Sequence, residues 1–198
     1  MVKSIAIVGG SSDIAKSTIS SMSADNYKFH VLVRDDSHTD ELSTSGVSVV
    51  LGDATSEEDI KNFISGVKES GEIHAILHCV GSFAVRPPHA MNKESFETVI
   101  STNLTSAFLT LSIAGKAMLS QGYGRMVFMS SVAGSLGLVN HEAISAAKGG
   151  IESMVRSAAA TYANRGLRIN AVAPGLTDTK LASPIMSNET ASQAASQK

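Results

Sequence analysis

"SIAIVGGSSDIA" (residues 4–15) joins an apolar, β-branched run to a glycine pair, two serines and the start of a helical pattern. A buried strand that turns through glycines into a helix leaves backbone N–H groups free at the helix N-terminus, where dinucleotide phosphates settle. Gly9 permits the tight turn, and Ser11 and Ser12 supply hydroxyl donors or a helix cap. Taken alone, the stretch reads equally well as an ordinary capped turn, so its meaning depends on the rest of the chain.

The same alternation recurs to residue 173. Apolar runs at 29–33 (FHVLV), 47–51 (VSVVL), 73–80 (IHAILHCV), 124–130 (GRMVFMS) and 167–173 (LRINAVA) are separated by helical spacing at 12–22, 57–69, 95–120 and 142–164. Continuous apolar strands between helices predict a parallel sheet covered on both faces, a three-layer α/β/α, doubly wound domain with right-handed crossovers. Ser56 before "EEDI" predicts a capped helix start with acids where the helix dipole favours them, and Gly71, Gly122 and Gly166 mark helix ends. No repeat or linker interrupts the 198 residues, so one domain over 1–198 is expected, with the small, polar stretch 183–198 as a mobile tail.

Composition narrows the partners. Sixteen basic against eighteen acidic residues give a net charge of −2 without long blocks of either sign, which points away from nucleic acid and anionic membranes. No run approaches the roughly 18 apolar residues that span a bilayer, and the apolar N-terminal run is too short for a signal peptide. The single cysteine, Cys79, cannot form an internal disulfide, and no metal-type cluster of Cys and His is present. A cytoplasmic protein whose partners are small molecules and other subunits is expected.

Residues 8–15 (VGGSSDIA) share the spacing of the Thr-Gly-x-x-x-Gly-Ile-Gly turn that opens the short-chain dehydrogenase/reductase family, with Gly9 and Ile14 in place and Val8, Asp13 and Ala15 substituted. Further stretches resemble that family in the same order: Arg34 and Asp35 after the second apolar run, "GDAT" (52–55), "HCVG" (78–81), "STNLTSAF" (101–108), "SSVAG" (130–134) and "NAVAPGLTDT" (170–179). The resemblance covers residues 5–179 and implies a Rossmann-type fold with strand order 3-2-1-4-5-6. It further implies that Gly9, Ser11, Ser12, Ile14, Asp53, Ala54, Gly81, Pro174, Gly175, Leu176 and Thr177 contact the cofactor. Arg34 would hold the 2'-phosphate of NADP(H), which favours NADP(H) over NAD(H), although Asp35 could instead serve a ribose hydroxyl. Asp13 would repel the cofactor pyrophosphate. His78 ends a buried strand and reads as a structural, hydrogen-bonded histidine.

In the family a serine polarises the carbonyl, a tyrosine donates the proton, and a lysine lowers the tyrosine pKa and holds the nicotinamide ribose. Ser131 and Lys148 match the serine and lysine, and Asn103 matches the helix asparagine that organises a water path to the lysine. The tyrosine belongs one helical turn before Lys148, where this chain has Ile144. An isoleucine has no titratable atom, and general acid catalysis is worth about 10² to 10⁴ in rate. His141 would share the face of Ile144 and Lys148 if the helix extends that far, and could then donate the proton; otherwise it is a solvated residue at the helix start. The resemblance therefore implies an NAD(P)(H)-dependent oxidoreductase acting on a small-molecule carbonyl or alcohol, with an altered active site. The alternative is a nucleotide-binding pseudoenzyme that serves as a sensor or assembly subunit.

Two more expectations follow from the resemblance. Helices 95–120 and 142–164 correspond to those that pair between subunits in the family, with small residues in "SAAATYA" (157–163), which predicts a homodimer or homotetramer. Family members also continue for several dozen residues past the Pro-Gly segment, so the short C-terminal part predicts an open substrate region and an edge position for the sixth strand.

Overall fold

A computed structural model of the protein describes residues 2–22, 26–44 and 46–183. The strands are β1 (Lys3–Val8), β2 (Tyr27–Val33), β3 (Ser48–Leu51), β4 (Ile73–His78), β5 (Gly124–Met129) and β6 (Leu167–Val172). All pair in parallel in the order β3-β2-β1-β4-β5-β6, the order expected of the Rossmann-type fold. Between them run α1 (Asp13–Ser21), α2 (Thr39–Thr44), α3 (Glu57–Glu69), α4 (Lys93–Ile100), α5 (Ser106–Gln121) and α6 (Glu142–Tyr162).

The apolar periodicity explains which helix covers which face. Ile60, Phe63, Ile64 and Val67 of α3, Leu111 and Met118 of α5, and Ile151 and Val155 of α6 pack with Ile76, Met126 and Phe128 of the sheet. On the opposite face Ala15 of α1 and Leu42 of α2 pack with Ile5, Ile7, Phe29 and Val31. The expectation of full cover on both faces holds only for part of the sheet. Among the described residues β6 alternates, with Leu167 and Ile169 buried and Arg168 and Asn170 exposed, and Arg125 of β5 is exposed beside them. Alternation of this kind marks a half-covered strand, unlike the apolar runs of β1 and β2.

Local signals place most element ends. Ser56 caps α3, its hydroxyl accepting from Asp59 N at 3.2 Å. Gly122 and Gly166 adopt left-handed conformations after α5 and at the start of β6. The single helix expected over 95–120 is instead a continuous segment, Lys93–Gln121, broken by a π-helical turn at Ser101–Thr105. That segment is long and apolar enough to cross a bilayer by length and composition, and 44% of its most apolar stretch is buried within the protein. The short α2 is an addition, since its polar stretch carries no apolar period. The tail expected at 183–198 lies, apart from Ser183, outside the described residues.

Candidate active site

A cleft of about 1210 Å³ opens at the carboxyl ends of the strands, where the order reverses between β1 and β4. Ligands of open α/β sheets collect at this switch point because backbone groups and helix N-termini converge there. At one end lies the glycine turn. Gly9 N and Gly10 N both donate to Leu32 O at 3.0 Å, and Gly9 has φ +86. A Cβ at Gly9 would come within 2.9 Å of Val80 N, so the turn can press onto the end of β4 only because the residue is glycine. Ser12 caps α1, its hydroxyl accepting from Ala15 N at 3.1 Å. Ser11 and Ile14 line the cleft beside it.

Asp13, read from sequence as a repulsive neighbour for pyrophosphate, has a partner. Its Oδ2 accepts from Lys180 N at 2.7 Å, which ties the segment after β6 to the first turn of α1. Along the same wall stand Arg34, Asp35, Asp53 and Ala54. The Asp35 carboxylate caps the turn at Asp36–His38, accepting from Ser37 N and from the Ser37 hydroxyl. Asp53 Oδ1 is taken by Thr55 N and Thr55 Oγ1, each at 2.8 Å, while Asp53 N donates to Asp59 Oδ2 at 2.7 Å.

The opposite end, where the expected catalytic residues lie, is built from β5 and α6. Ser131 follows β5 and caps the turn Val132–Gly134, its Oγ accepting from Ala133 N at 3.2 Å, which leaves the hydroxyl proton for an external acceptor. A Cβ at Gly134 would lie 2.9 Å from Gly149 N, so the glycine brings this turn directly against α6, next to Lys148. Lys148 is 6% exposed, and its Nζ donates to Met129 O at 2.8 Å. Ile144, one turn earlier and 8% exposed, lines the cleft and packs with Val99, Ala133, Ala143 and Ala147. Pro174 O accepts from Val132 N at 3.0 Å, which fastens the Pro-Gly segment, with Gly175, Leu176 and Thr177, over the Ser131 turn.

Two expected residues stand differently from their sequence reading. The helix starts at Glu142, so His141 sits just outside it with φ −103 and ψ 11, and its Nδ1 pairs with Val139 O at 2.7 Å. His141 lines the cleft but does not continue the helical face of Ile144 and Lys148. Asn103 is fully buried in the π turn: it accepts from Ser82 N at 3.2 Å and donates to Ser82 Oγ at 2.8 Å and Val99 O at 2.9 Å. A Cβ at Gly81 would lie 3.4 Å from Asn103 Oδ1 and 3.6 Å from Lys148 Nζ, so Asn103 and Lys148 converge beside the loop that follows β4.

Burial sets the charges around this end. Desolvation pushes the His78 imidazole down to about 3, helped by the nearby Lys148 charge. His78 Nε2 lies 3.1 Å from Ser106 Oγ, whose own proton goes to Thr102 O at 2.6 Å, so Nε2 carries the hydrogen and the ring is a structural donor. Burial pushes the Cys79 thiol up to about 11 against an opposing hydrogen bond from Ser12. Desolvation brings the Lys148 ammonium down to about 8.

Sequence reading missed the apolar end of the cleft. Phe83, Val85, Leu136, Val139 and Leu181 line it beside the expected Leu176, and all six are among the exposed large hydrophobic residues. Five of them come from loops without periodicity; the apolar "SFAV" (82–85) directly after Gly81 was the available signal. Asp13 and Lys180 were equally invisible as a pair, being 167 residues apart.

Comparison with known proteins gives a consistent picture. The sequence model of the family described as enoyl-(acyl carrier protein) reductase matches residues 9–198. The 3-oxoacyl-(acyl-carrier-protein) reductase MabA of Mycobacterium tuberculosis is 31% identical over 180 residues, 90% of this chain and 71% of that protein. Levodione reductase of Leifsonia aquatica is 28% identical over 184 residues, 86% of this chain and 68% of its own. Among solved structures, a levodione reductase superimposes with TM-score 0.90 at 25% identity, covering 98% of this chain and 81% of the other. An actinorhodin polyketide ketoreductase variant with NADPH gives 0.87 at 25% identity, over 94% and 75%.

Proposed function

This chain belongs to the short-chain dehydrogenase/reductase family, whose members are NAD(P)-dependent oxidoreductases of carbonyls and alcohols, and from that premise we propose that it reduces an uncharged, largely apolar carbonyl compound with NADPH. The observation that carries this reading is the convergence of the Gly9 turn, Ser131 and Lys148 on one cleft. The glycine turn fits a diphosphate: Gly9 and Gly10 leave no side chain in the turn, and α1 offers its N-terminus there. Arg34 stands at the end of β2 beside Asp35, whose carboxylate is engaged as a cap, and this favours the 2'-phosphate over a bare ribose. When bound, NADPH supplies the hydride.

The chain's own groups do the rest. Ser131 offers its hydroxyl proton to the carbonyl oxygen, and Lys148 holds the ribose through Nζ donors beyond the one given to Met129 O. Asn103 positions Ser82 and the loop after β4 without lining the cleft. The apolar end, from Phe83 to Val139, takes a substrate without charge. With Ile144 at the donor position, His141 or water completes proton transfer, and turnover is slow.

A second reading rests on Ile144 itself, which is packed into an apolar cluster: a dinucleotide-binding protein without efficient catalysis. Fluorescence titration with NADPH and NADH, paired with a carbonyl panel for the unmodified chain and Ile144→Tyr, separates the two. Turnover in the unmodified chain supports the reductase. Binding with turnover only in the variant supports the second reading, and failure to bind either nucleotide defeats both. We also propose a homodimer or homotetramer through α5 and α6, whose outer faces leave a groove of about 440 Å³ lined by Phe108, Leu111, Leu119 and Tyr162.

A further inference from the structure

Lys148 is the one lysine among the described residues that the fold buries. Its Nζ has a backbone carbonyl, Met129 O, as its partner, and among the described residues no carboxylate lies within ion-pair distance of it. Among the described residues, the titratable groups around it bring no carboxylate into contact with Nζ. From β4 come His78, a neutral imidazole, and the loop residue Cys79, a protonated thiol. From α6 comes Glu152, whose carboxylate accepts from the hydroxyls of Ser130 and Ser135 at 2.8 and 2.9 Å. Asp13, His141 and Lys180 line the same cleft, and Asp13 is bound to Lys180 N. From the π turn comes the uncharged Asn103. One turn along α6, Ile144 provides an apolar wall where a phenol would otherwise pair with the ammonium.

We propose that Lys148 is a reactive amine, and that aldehydes and ketones entering the apolar end of the cleft condense with its Nζ to an imine. The amine lone pair adds to the carbonyl carbon and the C=O π pair moves to oxygen. A proton passes from nitrogen to that oxygen, and loss of water from the carbinolamine leaves C=N. Amine and carbonyl become imine and water, with no change of oxidation state and no need of a dinucleotide, so this chemistry goes beyond the reductase reading and stands independently of it. Desolvation in an apolar site is an established way of activating a lysine nucleophile. Here it brings the ammonium from 10.5 to about 8, which leaves on the order of 300-fold more free amine at pH 7 than on an unperturbed lysine.

Reductive trapping tests the proposal on the unmodified chain. The protein is treated with butanal and sodium cyanoborohydride between pH 6 and 9.5, and each lysine is followed by peptide mapping. The side chain of Lys93, 86% exposed, serves as the internal reference. At pH 7 Lys148 is expected to be alkylated on the order of ten-fold or more faster than Lys93, with a rate that levels off above about pH 8. Labelling of Lys93 with Lys148 unmodified, or equal rates for the two at pH 7, would overturn it.

Discussion

At the scale of single residues, two buried side chains determine how this protein responds to mutation and to pH. Ile144 occupies the position from which a tyrosine would face Lys148, so Ile144→Tyr is expected to raise kcat for carbonyl reduction by about 10² to 10⁴, the usual worth of a general acid. No gain in turnover with NADPH would mean that Ser131 and Lys148 are not arranged for the chemistry. His78 contributes to acid stability. Its folded pKa of about 3 lies below the ordinary 6.5, so the unfolded chain binds a proton that the folded one excludes, and stability present above pH 6.5 is lost as the pH falls toward 3. At pH 5 the loss is about 2 kcal/mol. Urea denaturation of His78→Leu against the unmodified protein should show the difference shifting in favour of the variant by that amount between pH 7.5 and pH 5. A pH-independent difference would refute it.

At the scale of elements, the π turn and the first turn of α1 carry the strongest expectations. The extra residue at Ser101–Thr105 brings Asn103 fully inside, where three hydrogen bonds hold it to Ser82 and Val99. Asn103→Ala leaves Ser82 N and Val99 O short of a partner and should cost about 2 to 3 kcal/mol, seen as a lowered Tm. An unchanged Tm would show that the turn forms without this side chain. For α1, Asp13→Asn keeps an acceptor for Lys180 N while removing the charge from the diphosphate end of the cleft. NADPH should then bind several-fold tighter, about 1 kcal/mol, in a fluorescence titration. Equal Kd values would mean that the carboxylate stands too far from the phosphates to matter.

At the scale of the whole molecule, the proposed assembly rests on the outer faces of α5 and α6. Phe108 is 56% exposed on α5, beside the groove that reaches Tyr162 and Arg165. Light scattering at micromolar concentration should give a dimer or tetramer for the unmodified chain and a monomer for Phe108→Glu. A monomeric unmodified chain would refute the interface. Ala158 is buried against the chain's own core, whereas Ala160 is exposed, so the small residues of 157–163 serve both the domain and the proposed interface.

The sequence by itself determined the strands and the glycine turn, because period, apolar content and turn chemistry are local properties that a short window records, while the strand order came from the family resemblance. The family resemblance, carried by spacing along one strand and one helix, also singled out Ser131, Lys148 and Ile144 as the proposed reactive positions. The tertiary structure alone decided what depends on distant segments meeting. The Asp13 contact with Lys180, the π turn that buries Asn103, the end of α6 short of His141 and the apolar loops around Phe83 and Val139 are such cases. The charge on Lys148 belongs with them, since desolvation is set by every group packed around an atom and no window of sequence contains them all.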